Sequence, residues 1–153
     1  MESVGGDFID FRTIKGNPGL IMADVSGHGI PASLVVSSIK TAFLFQEESM
    51  IEPRTLLSNL NHALLDKTGK EFVTACYTWI DLKNKIIKTR IAGHNALVVY
   101  RNSNNQIYEI KPKGPPLCLF DNSKFDSIEF NIEKGDRILL YTDGLFEVIN
   151  SEN

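Results

Sequence analysis

Hydrophobic and polar residues alternate along the first part of the chain, and the apolar spacing then becomes helical. The alternation predicts two strands, over 4–14 and 20–25, joined by a turn rich in glycine, asparagine and proline. Apolar residues then recur every three or four positions, which predicts amphipathic helices over 31–46 and 53–67, each opened by a proline. The predicted inward-facing residues are Val35, Ile39, Ala42 and Phe43, then Leu56, Leu57, Leu60, Ala63 and Leu64.

From residue 72 onwards the pattern is typical of strands, with β-branched and aromatic residues between short polar turns. It predicts an antiparallel meander, and the proline-rich segment 111–116 predicts a surface loop. The segment 137–142 is almost wholly apolar, which predicts a central strand. This order favours an α+β fold, a two-layer and mainly antiparallel β-sandwich flanked by helices. The predicted strands are 72–81, 85–92, 97–101, 106–110, 127–132 with Ile128, Phe130 and Ile132 inward, and 137–142.

Composition and charge fit a single folded domain over 1–153 and exclude several classes of function. The chain carries 16 Lys and Arg against 19 Asp and Glu, a net charge of −3, and has no basic cluster for binding nucleic acid. No apolar stretch approaches the roughly 18 residues of a membrane span, and no secretory signal pattern opens the chain. We therefore expect a cytoplasmic protein without membrane contact. Cys76 and Cys118 lack metal-ligand spacing and are expected to be reduced thiols without a functional role.

Three aspartates share one context, because Asp7, Asp24 and Asp143 each lie near a predicted strand end with glycine close by. A strand end fixes a carboxylate in space, and glycine lets backbone or solvent approach it closely. Oxygen ligands of this kind suit a hard cation such as Mg²⁺ or Mn²⁺. The alternative is that pairs of aspartate and glycine are ordinary turn residues.

Four segments carry a resemblance to a known family. They occur in order, and they include Gly5-Gly6-Asp7 in the first strand and Thr142-Asp143-Gly144 after the last. Together they resemble the PPM family of metal-dependent serine/threonine phosphatases, and more narrowly the bacterial branch typified by stage II sporulation protein E and the phosphatases that regulate sigma factors. The four segments are 4–11, 23–32, 92–95 and 135–147.

The resemblance implies a PPM-type αββα fold and a site with two Mn²⁺ or Mg²⁺ ions. Asp24 matches the aspartate that bridges both ions, and the carbonyl of Val25 matches a backbone ligand to one of them. Asp7 matches a ligand on that same side, and Asp143 matches a ligand to the other ion. The implied reaction is attack by a metal-activated water on a phosphoserine or phosphothreonine, without a protein nucleophile.

The three histidines are given no catalytic role. Ser26 occupies the position at which some family members carry a histidine that is a candidate acid, and His28 is expected to shape the glycine turn before Pro31. His94 matches a motif of this branch and is expected to stabilise a turn. His62 is expected to face solvent, away from the leucines of the second helix.

The family's module normally continues to an Asp-Asp-x-Thr strand that completes the second metal site, whereas this sequence ends at Asn153. We therefore expect a domain truncated at both ends relative to the family, with the third carboxylate of that site missing. Two functions stay open. One is dephosphorylation of an anti-anti-sigma-type protein in sigma-factor partner switching, with or without homodimer formation. The other is a catalytically impaired phosphatase-like module that binds or regulates. The helix pair is expected either to convey regulation or simply to pack on the core.

Overall fold

The computed structural model describes residues 5–121, 123 and 125–146, which form two α-helices and eight strands. Short 3-10 turns cover Glu47–Ser49 and Asp143–Leu145. The predicted helices are confirmed with slightly earlier ends. The elements are β1 (Asp7–Ile14), β2 (Asn17–Val25), α1 (Ile30–Leu44), α2 (Pro53–Leu64), β3 (Val73–Asp81), β4 (Ile86–Ala92), β5 (Leu97–Arg101), β6 (Gln106–Ile110), β7 (Ser127–Asn131) and β8 (Arg137–Leu139).

The strands form two antiparallel sheets. The larger has the order β1-β2-β3-β4-β7 and the smaller the order β6-β5-β8. The expectation of one continuous meander is therefore wrong, because the hairpin of β3 and β4 and the hairpin of β5 and β6 belong to different sheets. The chain leaves the larger sheet at Gly93, whose φ of 63° is the left-handed conformation that glycine adopts without strain.

Two apolar layers hold the sheets and helices together. Both helices pack on one face of the larger sheet, where Phe43 meets the Tyr77 ring at 6.1 Å between centroids and Tyr77 Oη donates to the Met50 carbonyl at 2.7 Å. A second layer lies between the sheets and includes Cys76, Ile87 and Val99. The α+β sandwich is confirmed, with its helices on one outer face among the described residues. No helix of the described part is both long and apolar enough to cross a bilayer.

The last strands differ most from expectation. Within the described residues, β8 pairs only with β5 and lies at the edge of the smaller sheet, so the prediction of a central strand over 137–142 is wrong. Ile128 is also more exposed than predicted, at 37%. It lies on the edge strand β7, where Tyr108 of the smaller sheet packs on Phe130 at 5.3 Å but the sheet leaves Ile128 uncovered.

Candidate active site

Two of the predicted carboxylates lie opposite each other at the end of the larger sheet. Asp7 on β1 is paired with Asp24 on β2, and Thr74 on β3 is paired with Asp24 from the other side. Residues directly opposite each other on neighbouring strands project to the same face. This face is the one that carries Cys76 into the layer between the sheets. Asp7, Asp24 and Thr74 therefore lie at one end of the space between the two sheets.

The third carboxylate reaches the same place from the end of the described chain. Asp143 begins the 3-10 turn that follows β8, and it lines a cavity of about 80 Å³ together with Asp24. Thr142 Oγ1 donates to Asp7 Oδ2 at 3.2 Å and ties this turn to β1. The fold thus brings together the three aspartates that the sequence singled out, although they are far apart along the chain.

The electrostatics of Asp24 reflect this crowding. Burial raises the pKa of Asp24 to about 6, and the negative charges of Asp143 and Asp7 add to the effect. A carboxylate between two others is stabilised by a bound cation, which offsets their repulsion. The donor set therefore fits a divalent cation with oxygen ligands. Among the described residues, no three His, Cys, Asp or Glu side chains already form a close metal-binding cluster.

Gly6 keeps the Val25 carbonyl accessible beside these carboxylates. The Val25 amide donates to the Gly6 carbonyl at 3.2 Å. A Cβ on Gly6 would lie 2.6 Å from the Val25 oxygen and 3.2 Å from Asp24 Oδ1. Only glycine fits here without displacing one of these oxygens, which gives the second glycine of the Gly-Gly-Asp motif a steric reason.

His94 lies in the wall of the same cavity, which is more than its expected role in a turn. Thr74 Oγ1 shares a hydrogen bond of 2.9 Å with His94 Nδ1 and donates to the Asp24 carbonyl at 3.4 Å. His94 is 5% exposed, and burial lowers its pKa, so the ring is neutral near pH 7. These contacts link the β4–β5 turn to the strand that carries Asp24. His28 and His62 are both exposed, as predicted for His62.

Glu71 is a residue near the site that the sequence reasoning missed. Ser26 Oγ donates to Glu71 Oε2 at 2.7 Å and accepts from the Phe72 amide at 2.9 Å. A Cβ on Gly27, whose φ is 90°, would lie 2.9 Å from the same carboxylate oxygen. These contacts hold the loop between β2 and α1 against the start of β3. No motif contains Glu71, so only the tertiary structure places it here.

The fold is that of a PPM-type phosphatase domain, the class that the sequence motifs indicated. The chain belongs to the stage II sporulation protein E (SpoIIE) family, whose sequence profile matches residues 15–153. It is 31% identical over 147 residues to the phosphoserine phosphatase RsbU of Bacillus subtilis (strain 168), covering 95% of this chain and 44% of that protein. The chain therefore spans less than half the length of this relative.

Solved structures agree with the fold. The RsbU and RsbW domains of Rv1364c from Mycobacterium tuberculosis superpose with a TM-score of 0.83 at 26% identity, over 94% of this chain and 41% of that one. RsbX in complex with magnesium gives a TM-score of 0.78 at 20% identity, over 93% of this chain and 68% of that one. The sandwich and the order of its elements are thus those of phosphatase domains in this family.

Proposed function

We propose that this chain is the catalytic region of a metal-dependent phosphatase that acts on phosphoserine or phosphothreonine in a protein. One observation carries the proposal: Asp24 and Asp143 line one small cavity and Asp7 lies directly opposite Asp24, so that burial together with the charges of Asp143 and Asp7 raises the pKa of Asp24 to about 6. Structural aspartates at unrelated turns have no reason to converge in this way. Membership of the SpoIIE family and the likeness to RsbU support the same reaction.

The residues that would hold two Mn²⁺ or Mg²⁺ ions are the three aspartates and the carbonyl of Val25. Bound ions of this kind activate water and neutralise charge on phosphoryl oxygens. Asp24, whose pKa is raised by burial and by both of the other carboxylates, would hold the cations together with them. RsbX, which shares the fold, is in complex with magnesium, and this supports the same choice of cation here.

The surrounding residues orient these ligands. Thr142 donates to one carboxylate oxygen of Asp7 and so orients this side chain. Thr74 and His94 fix the backbone of Asp24 from the opposite side. Gly6 leaves space around the Val25 carbonyl. The proposed role of the chain is therefore to hold the metal ligands in position and to supply their negative charge, while water serves as the nucleophile.

The proposed substrate is a phosphorylated anti-anti-sigma-type protein in the cytoplasm, acting in sigma-factor partner switching. The names of the relatives support this choice. RsbU and RsbP of Bacillus subtilis are both phosphoserine phosphatases, and Rv1364c joins an RsbU domain to an RsbW domain in one structure.

The test is Mn²⁺-dependent hydrolysis of a phosphoserine peptide, with calorimetry of Mn²⁺ binding as a second readout. We expect Asp24→Asn to lower hydrolysis by at least about 10³-fold and to abolish strong Mn²⁺ binding, because the variant removes a charged ligand. Asp10→Asn is the matched control, since Asp10 lies on the same strand as Asp7 but on the opposite face, the one on which Phe8 packs with the helices. Mn²⁺ binding without turnover would favour the binding module, and equal activity of wild type and Asp24→Asn would contradict the proposed site.

A further inference from the structure

A second and larger cavity lies directly beside the carboxylate site. It has a volume of about 530 Å³ and shares Gly93, His94 and Asn95 with the small cavity that contains Asp24 and Asp143. Its far wall is the start of the proline-rich loop, at residues 111–114. A ligand group at the carboxylates therefore has this groove as its immediate continuation on the surface.

The wall of this groove is held by backbone contacts that require glycine. The Gly93 amide donates to the Gly114 carbonyl at 2.9 Å, and a Cβ on Gly93 would lie 2.6 Å from Pro116 Cγ. A Cβ on Gly114 would collide with the Ile91 carbonyl oxygen. The loop is thus packed against the β4–β5 turn rather than held only by its ends.

Farther along, α2 anchors the segment that follows the loop, at residues 118–120. Asn61 is buried, its Nδ2 donates to the Phe120 carbonyl at 2.9 Å, and its Oδ1 accepts from the Cys118 amide at 2.8 Å. The Asp126 amide donates to the Lys113 carbonyl at 3.2 Å. A buried amide with both ends paired fixes the backbone that it contacts. The backbone that carries Lys111 and Lys113 is therefore held in place.

The groove carries positive charge on its loop wall, whereas the small cavity beside it carries the negative charges of Asp24 and Asp143. Pro112 is buried while Lys111 and Lys113 on either side of it are exposed. The ion pairs found in the described part of the chain involve Lys88 and Arg101, and neither groove lysine takes part in one. Lysine is a flexible point charge, suited to carboxylates whose exact position varies. Two such charges next to a site for phosphate point to an acidic ligand.

We propose that the groove formed by residues 91–95 and 111–114 binds an acidic segment next to the phosphorylated residue of a protein substrate, with Lys111 and Lys113 pairing with its carboxylates. The inference rests on the proposed function, since the phosphorylated side chain enters the carboxylate site. Exposed charges of this kind select between partners more than they add affinity. The two lysines are therefore specificity determinants.

The experiment uses fluorescence anisotropy in the presence of Mn²⁺ to measure the binding of fluorescein-labelled peptides that carry the non-hydrolysable phosphonate analogue of phosphoserine, so that the proposed reaction does not consume the ligand. Three peptides differ only in their flanks, which carry glutamates, alanines or lysines. The double variant Lys111→Glu/Lys113→Glu is compared with Lys83→Glu/Lys134→Glu, which makes the same charge change at exposed turns outside the groove. Thermal melts of both variants check that folding is unchanged.

We expect the groove variant to bind the glutamate-flanked peptide about tenfold more weakly and the alanine-flanked peptide within about twofold of wild type, since exposed pairs contribute modestly and charge reversal turns attraction into repulsion. The lysine-flanked peptide should gain affinity, and the control variant should match wild type. The preference for glutamate flanks should shrink as salt is raised.

Two results would overturn the inference. One is unchanged binding of the glutamate-flanked peptide by the groove variant. The other is an equal loss for glutamate and alanine flanks, which would mean that the lysines contact the phosphate itself. Mn²⁺-dependent hydrolysis of p-nitrophenyl phosphate, which has no flank, reports separately on the proposed function. If wild type fails to hydrolyse it, the reaction is wrong, and the anisotropy series still decides the role of the groove.

Discussion

The two sides of the carboxylate site are held in very different ways. Asp7 and Asp24 lie on a hairpin in which every residue of β1 has a partner on β2, and β2 is paired in turn with β3. Asp143 follows a three-residue strand at the edge of the smaller sheet and starts a single 3-10 turn. The hydrogen bond from Thr142 to Asp7 is a side-chain link between the two sides.

This contrast shows which part of the site is fixed by the fold. The hairpin side is formed by backbone pairing in the layer that packs on both helices, so its geometry is set whenever the domain is folded. Among the described residues, Asp143 lies outside the strands and the Thr142 side chain ties its turn to β1, a contact that a ligand can strengthen. We therefore expect changes on the hairpin side to affect stability, and changes on the Asp143 side to affect metal affinity.

The largest expected effect is at the end of the hairpin. Gly6→Ala places a Cβ 2.6 Å from the Val25 oxygen and should destabilise the domain by about 1–3 kcal/mol, the usual cost of overpacking. Gly5→Ala is the matched control, because its Cβ meets nothing closer than the Asp7 amide at 3.9 Å. Urea unfolding of both variants measures the difference, and equal midpoints would show that the strand ends have room to move apart.

A smaller effect is expected on the Asp143 side. Thr142→Val removes the donor to Asp7 and should change the free energy of unfolding by no more than about 1 kcal/mol, since the hydrogen bond is exposed. Mn²⁺ affinity should nevertheless fall by about three- to tenfold, because the link between the two sides is lost. Thr13→Val, on the exposed end of β1, is the control. If the Thr142→Val variant kept full Mn²⁺ affinity, the hydrogen bond from Thr142 to Asp7 would not be what links the two sides of the site.

The smallest expected effect is a dependence of metal-free stability on pH. The pKa of Asp24 is about 6 in the folded chain and 3.8 in its ordinary state, so the folded chain binds the proton more tightly between these values. The contribution of Asp24 is therefore most favourable below pH 3.8 and becomes less favourable as pH rises to about 6. The measurement is the urea midpoint of wild type minus that of Asp24→Asn. This difference should fall as pH rises from 3.8 to about 6. A flat difference would mean that neither burial nor the neighbouring charges raise the pKa of Asp24 in the folded chain, and saturating Mn²⁺ should remove the fall.

Much of the fold was predictable because the spacing of apolar residues within each segment indicates whether it forms a helix or a strand. The helical stripes around Ile39 and Leu57 and the hairpin of β1 and β2 follow from spacing and turn residues alone. The division of the strands between two sheets did not follow, because a left-handed glycine at position 93 is equally compatible with a tight hairpin. The edge position of β8 also escaped prediction, since its apolar residues do not show which strands it pairs with, and in the structure Arg137 and Leu139 are exposed.

The site was predictable to the extent that its residues sit in motifs. Asp7, Asp24 and Asp143 were found because each has glycine nearby at a strand end, and whether they bind metal stays a prediction. Thr74 and Glu71 were missed, since each lies in an ordinary strand or loop sequence and gains its role only from a tertiary partner. No one-dimensional pattern records such a partner.

The tight contacts of Gly93 with Pro116 and of Gly114 with Ile91 constrain how this domain can diversify. The backbone of the β4–β5 turn cannot change unless the proline-rich loop accommodates the change, and the reverse also holds. The two segments are therefore expected to change together. A chimera that takes only the proline-rich loop from a relative would pack poorly against the β4–β5 turn. Exchange of both segments together would keep the contact between them intact. New partner preferences are thus expected to arise by paired replacement of these segments around an unchanged hairpin.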